Sequence, residues 1–216
     1  MKKKSTNSNV QNFAELEQNY QYYLNLFYSR KLDFIPPIYF HEKTLQYCKK
    51  HFLSGRHIEN IYATLVAWGM HRAGSRGAKM PAFKDFMKSV MRNKACLERL
   101  VNYRIEDMSQ QELEDVLPCL TRICFDIQAS TTRKRLVSSS KTLAHILPNL
   151  VCPIDNYYTL TFFKSELKGF SEQQKFQHIM RRMWEFYKNV GAANIKIGGT
   201  FAHSYPKMFD NLIMEF

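Results

Sequence analysis

The sequence predicts an all-α fold, and three observations carry that prediction. Apolar residues recur at three- and four-residue steps over long stretches, no convincing period-two segment occurs, and serine-led capping signatures precede the strongest apolar stripes. The chain has 216 residues, enough for one large domain or two small ones, with a core that needs neither disulfides nor a metal. Hydrophobic residues make up 45% and charged residues 23%, a globular balance and not a disordered one. Sixteen Phe and 12 Tyr against eight Gly suit helices packed around bulky side chains.

Taken in order, residues 1–10 ("MKKKSTNSNV") read as a disordered basic tail. A helix follows, with Phe13, Leu16, Tyr20, Tyr23, Leu24 and Phe27 on one face. The two prolines of "DFIPPIYF" predict a break, and a second helix runs from about His41 to Leu53. A third carries "IENIYATLVAWGM" and ends in the glycine-bearing basic loop "HRAGSRGAK"; another starts after Pro81. Ser109 with Glu112 makes a capping box ahead of Leu113, Val116, Leu117 and Leu120, and Pro118 is expected to kink or divide that helix. Ser171 with Gln174 opens the clearest helix, striped by Phe176, Ile179, Met180, Met183, Trp184 and Tyr187 and closed by Gly191. A last helix begins near Pro206. With no repeat and no long linker, residues 11–216 read as one all-α domain, with two helical lobes as the alternative.

The 31 Lys+Arg exceed the 19 Asp+Glu by 12 charges, a balance that favours polyanionic partners, nucleic acid first among them. The five cysteines, Cys48, Cys96, Cys119, Cys124 and Cys152, are odd in number and form no CxxC pair, so no zinc site is expected. Most lie among apolar neighbours, which points to a reducing, cytoplasmic compartment. The basic start leads into polar residues and not into the apolar stretch of a signal peptide, and no apolar run reaches membrane-span length. No membrane association is expected.

One stretch, "SSSKTLAHILPNLVCPIDNYYT", raises the question of chemistry. Read plainly, Ser138, Ser139 and Ser140 supply N-cap oxygens to a helix that begins near Lys141, Pro153 fixes a turn, and Asp155 caps the next helix. Read chemically, a helix N-terminus presses Lys141 toward its neutral, nucleophilic form and holds Asp155 ionised. An amine beside an ionised carboxylate is what cleavage of an N-glycosidic bond needs, because the sugar becomes oxocarbenium-like as the base leaves.

On these residues the chain resembles the helix-hairpin-helix DNA glycosylases, the superfamily of endonuclease III and the 8-oxoguanine glycosylases. Lys141-Thr142 match the Lys-Thr that opens the family's helix, and Pro153-Ile154-Asp155 match its Pro-Val-Asp corner. Residues 140–150 and 206–213 also resemble two blocks of poorly characterised prokaryotic proteins related to that superfamily, in the same order. The resemblance covers roughly residues 56–216. It implies a helix-hairpin-helix glycosylase-like fold, Lys141 as the Schiff-base nucleophile and Asp155 as the catalytic carboxylate. It also implies DNA repair as the setting, with AP-lyase nicking after base removal. The family's Gly-x-Gly hairpin is replaced by Ser138-Ser139-Ser140, so the hairpin is tightened or lost. The Lys-to-Asp interval is also shorter than is usual in the endonuclease III branch. No C-terminal four-cysteine cluster is present, so no iron–sulfur cofactor is expected.

For DNA contact the candidates are Arg72, Arg76 and Lys79 of the glycine-bearing loop, Arg133, Lys134 and Arg135 of "TTRKRLVSSSK", and the three serines as phosphate contacts at a helix start. A solvated loop or helix face is the plain alternative for each cation. His145 shares a helix face with Lys141 and reads as a satisfied core histidine. Trp68 and Trp184 sit on apolar stripes and read as core. Asp210-Asn211 read as helix-capping or orienting residues. Two further readings stay open: a non-catalytic DNA-binding protein that retains the glycosylase fold, and a helical interaction protein whose basic face meets an acidic partner.

Overall fold

The computed structural model describes residues 8–30, 36–72, 79–198 and 201–216. These are helical with no β-strand, as the apolar periodicity predicts. Helix α1 (Ser8–Ser29) bends at Asn19, whose side-chain amide reaches back to the Glu15 carbonyl at 3.1 Å and interrupts the backbone ladder. Its start at Ser8 places residues 8–10 in the helix and not in a tail, since propagation adds a backbone bond per residue once a helix is nucleated. Residues 1–7 lie outside the described part. Phe13, Leu16, Leu24 and Phe27 are buried, while Tyr20 and Tyr23 are half-buried.

Helix α2 (Pro36–Lys50) corrects the expected break: the prolines open the helix, where their missing N–H groups cost nothing and their φ is already helical. Helix α3 (Gly55–Ala67) is capped by Ser54, whose hydroxyl accepts from the His57 amide at 3.2 Å. Helix α4 (Phe83–Met91) and α5 (Lys94–Leu100) follow Pro81. Helix α6 (Gln110–Asp126) carries the predicted capping box, yet it runs unbroken through Pro118. Pro118 lies on the exposed face, between buried Leu117 and Leu120, so the freed carbonyl of the preceding turn meets water while the core face holds the helix together.

Helix α7 (Leu136–Ile146), the short α8 (Thr159–Phe162), α9 (Glu172–Val190) and α10 (Tyr205–Glu215) complete the fold. Helix α9 shows the predicted capping box and ends at Gly191, whose φ of 80° only glycine adopts readily. Most of the buried apolar side chains form one cluster with contributions from α1 and from α3 to α10, while Ile38, Leu45 and Cys48 of α2 are buried outside it. Helix α2 packs on α3, and both pack on α7; α1 lies along α10. Thr44 and Thr64 tie α2 to α3 through a buried hydroxyl pair at 2.8 Å. Among the described residues no helix is long and apolar enough to cross a membrane.

Candidate active site

Helix α7 starts earlier than its serines suggest. Its N-cap is Arg135, with no side-chain cap of its own. Instead the Glu172 carboxylate, from the first turn of α9, accepts the Arg135 amide at 2.9 Å and sets a negative charge at the positive end of α7. Leu136 is buried and anchors the first turn. The three serines therefore lie inside the helix and are buried, which corrects the N-cap expectation. Ser138 and Ser140 donate to the carbonyls of Arg135 and Val137, both at 3.1 Å. At this burial their hydroxyls do not face a phosphate outside the protein, so the expected serine–phosphate contact is not formed by this conformation.

The same shift moves Lys141 into the second helical turn. The helix dipole acts mainly on the first turn, so it does not carry the activation argument here. What remains is the carboxylate. Lys141 Nζ lies 2.7 Å from Asp155 Oδ2, with 11% of the lysine and 28% of the aspartate side chain exposed. Asp155 Oδ1 accepts the amides of Tyr157 (2.7 Å) and Tyr158 (3.4 Å), capping the turn that leads into α8. Burial opposes ionisation of this carboxyl, but the Lys141 ammonium and the two amides outweigh it and hold Asp155 below the usual carboxylate range. A proton acceptor and a primary amine are thus preassembled.

The pair opens into a cavity of about 150 Å³ whose walls include Trp68, Phe201, Lys207 and Asp210. Lys141 Nζ stands 5.3 Å from the centre of the Trp68 ring, within cation–π range. Lys207 and Asp210 form a second ion pair at 2.5 Å, so the cavity carries two ammonium and two carboxylate groups and is balanced in charge, not basic. Sequence reading passed over Trp68 as core, gave Asp210 an orienting role and did not single out Lys207 or Phe201. Their chain distance from Lys141 hides the shared site. Trp184, by contrast, donates to the Met108 carbonyl at 2.9 Å and braces α9, as a core residue should.

Behind the cavity runs a row of histidines. His145 Nδ1–H donates to the Lys141 carbonyl at 2.7 Å, its Nε2 accepts from His41 Nδ1–H at 2.8 Å, and His41 Nε2 accepts from His203 Nδ1–H at 3.2 Å. His57 donates to the His145 carbonyl at 3.3 Å. Burial pushes these rings toward neutrality, and repulsion from neighbouring histidines adds to it for His41, His145 and His203: His145 and His57 go down to about 4, His203 to about 3, and His41 well below the ordinary range. Neutral rings keep one donor and one acceptor each, which is what a chain of single hydrogen bonds requires. His145 is thus a satisfied buried histidine.

The basic candidates divide. Thr131 donates its amide to the Lys79 carbonyl at 2.7 Å, which brings the end of the glycine-bearing loop beside the 131–135 segment. Arg72, Arg133 and Lys134 are exposed, and Arg135 and Lys79 are half-buried. Arg135 precedes Lys141 by six residues, about 9 Å along a helix axis. Arg76 lies outside the described residues. All five cysteines are free, and among the described residues no group of three or more His, Cys, Asp or Glu is placed to hold a metal ion. Comparison with protein families, with curated proteins and with solved structures finds no match to this chain.

Proposed function

We propose that the protein is a DNA glycosylase of the helix-hairpin-helix kind, which extrudes a damaged or modified base and cleaves its glycosidic bond, with AP-lyase nicking as a second step. The observation that carries this reading is the Lys141–Asp155 pair at 2.7 Å on the wall of an aromatic-lined cavity. Asp155 takes a proton from the Lys141 ammonium; the amine then forms a bond to C1′ while the base departs with the electron pair of the glycosidic bond. Cleavage of the C1′–O4′ bond, with O4′ taking up a proton and the nitrogen lone pair closing the C=N bond, opens the sugar to the Schiff base; loss of its C2′ proton then expels the 3′ phosphate. The charge excess of 12 and the juxtaposed Lys79 and 131–135 segments support approach of a phosphate backbone.

Borohydride trapping tests this reading. Wild-type protein, incubated with duplexes carrying a panel of lesions and an abasic site, should yield a covalent adduct that Lys141→Gln does not. Absence of both adduct and base release across the panel rules it out. The replacement of the glycine hairpin by buried serines favours one second reading, a DNA-binding protein that retains the fold without catalysis. That reading predicts salt-sensitive DNA binding equal in wild type and Lys141→Gln, with no base release from either.

A further inference from the structure

The second ion pair in the cavity has no part in the chemistry above. Lys207 and Asp210 are only 4% and 6% exposed, and both line the cavity wall. A buried ion pair is a poor source of stability, because the desolvation of both charges cancels most of their attraction and apolar side chains of equal volume serve as well. Its place in the wall of a cavity points to a ligand. The wall beside it is also strained. Phe201 has a φ of 64°, a left-handed conformation that a bulky side chain rarely adopts, and Asn211 Nδ2 secures it by donating to the Phe201 carbonyl at 2.8 Å. That backbone sets the Phe201 ring 3.9 Å from Lys207 Nζ and in the cavity wall.

The chemistry of the site describes its occupant. Trp68 and Phe201 put aromatic surface into the cavity wall, which suits a planar ring. The volume of about 150 Å³ matches a cavity that admits one six-membered ring. An ammonium can only donate and a carboxylate can only accept, and each keeps bonding capacity beyond its partner. We infer that Lys207 and Asp210 read the edge of the extruded base, Lys207 donating to a ring carbonyl and Asp210 accepting from the neighbouring ring N–H. They are specificity-determining residues for a single-ring base with a carbonyl next to an N–H. The inference rests on the glycosylase reading only for the source of that base.

Free uracil is the probe, titrated against the full-length protein at millimolar concentrations by saturation-transfer NMR. Uracil should bind, and 1,3-dimethyluracil, which keeps the carbonyls and lacks the N–H groups, should bind about tenfold more weakly or worse. The double variant Lys207→Met/Asp210→Leu removes both charges together and should weaken uracil binding by a similar factor. The methylated probe needs no variant, so its equal binding overturns the assignment even where the double variant does not fold. No uracil binding, equal binding of the dimethyl compound, or unchanged binding in a folded double variant overturns the assignment. Free uracil has no glycosidic bond. Absence of both adduct and base release, with intact, edge-dependent uracil binding, would therefore remove the glycosylase reading and leave this one standing.

Discussion

Ser140 Oγ accepts the Ile154 amide at 3.1 Å, and this single buried hydrogen bond fixes the second turn of α7 to the corner that carries Asp155. The nucleophile candidate follows Ser140 directly, and the carboxylate follows Ile154 directly. The 2.7 Å approach of Lys141 to Asp155 is therefore braced one residue away on both sides.

Ser140→Ala should leave the Ile154 amide buried without a partner, at a cost of about 1–3 kcal/mol. Ser139, also fully buried, has a hydroxyl with no hydrogen-bond partner among the described residues, so Ser139→Ala should be neutral or slightly stabilising. Urea denaturation of the two variants side by side checks the contrast. Equal effects would mean that the Ser140 bridge does not hold the corner.

At Asp155 charge and cap can be separated. Asp155→Asn keeps an oxygen for the Tyr157 and Tyr158 amides and loses the charge facing Lys141; Asp155→Ala loses both. The alanine variant should be less stable than the asparagine variant by about 1 kcal/mol, the usual worth of a cap. Both should lose adduct formation in the trapping assay, because neither can accept the lysine proton.

The histidine row makes stability depend on pH. His145 and His57 at about 4 and His203 at about 3 lie below the unfolded value of roughly 6.5. The unfolded chain therefore binds more protons between those values, and stability is full above about pH 6.5 and falls as pH drops toward 4. Each such histidine adds a slope of up to about 1.4 kcal/mol per pH unit in that window. Thermal denaturation between pH 7 and pH 5 measures it, and His203→Asn should flatten the curve. The nearby Lys207 and Lys49 charges repel a proton on His203 and keep its depression in place.

Arg133 and Lys134 are exposed and lie beside the Lys79 segment. Their joint replacement by alanine should weaken DNA binding without lowering thermal stability. If both touch phosphates, the slope of log affinity against log salt should shrink by about 1.8. An unchanged slope would place the DNA path elsewhere.

Local chemistry made much of the helical framework legible in the sequence. The capping boxes at Ser109–Glu112 and Ser171–Gln174 close within three residues, and the stripe of α9 repeats within two turns, so neighbours in the chain are neighbours in space. Lys141 and Asp155 were also legible, as residue types whose chemistry fits and whose separation of 14 residues one helix and one turn can fold back on itself. The serines were misread for the opposite reason. The true start of α7 is set by Leu136 entering the core and by Glu172 reaching across from α9, 37 residues away, and no local pattern encodes that acceptor. Only the tertiary structure brings Trp68, Phe201, Lys207 and Asp210 to Lys141. Those contacts come from the packing of α3 on α7 and of α10 on α1 and α8, where burial energy depends on which faces meet and not on the order of residues along the chain.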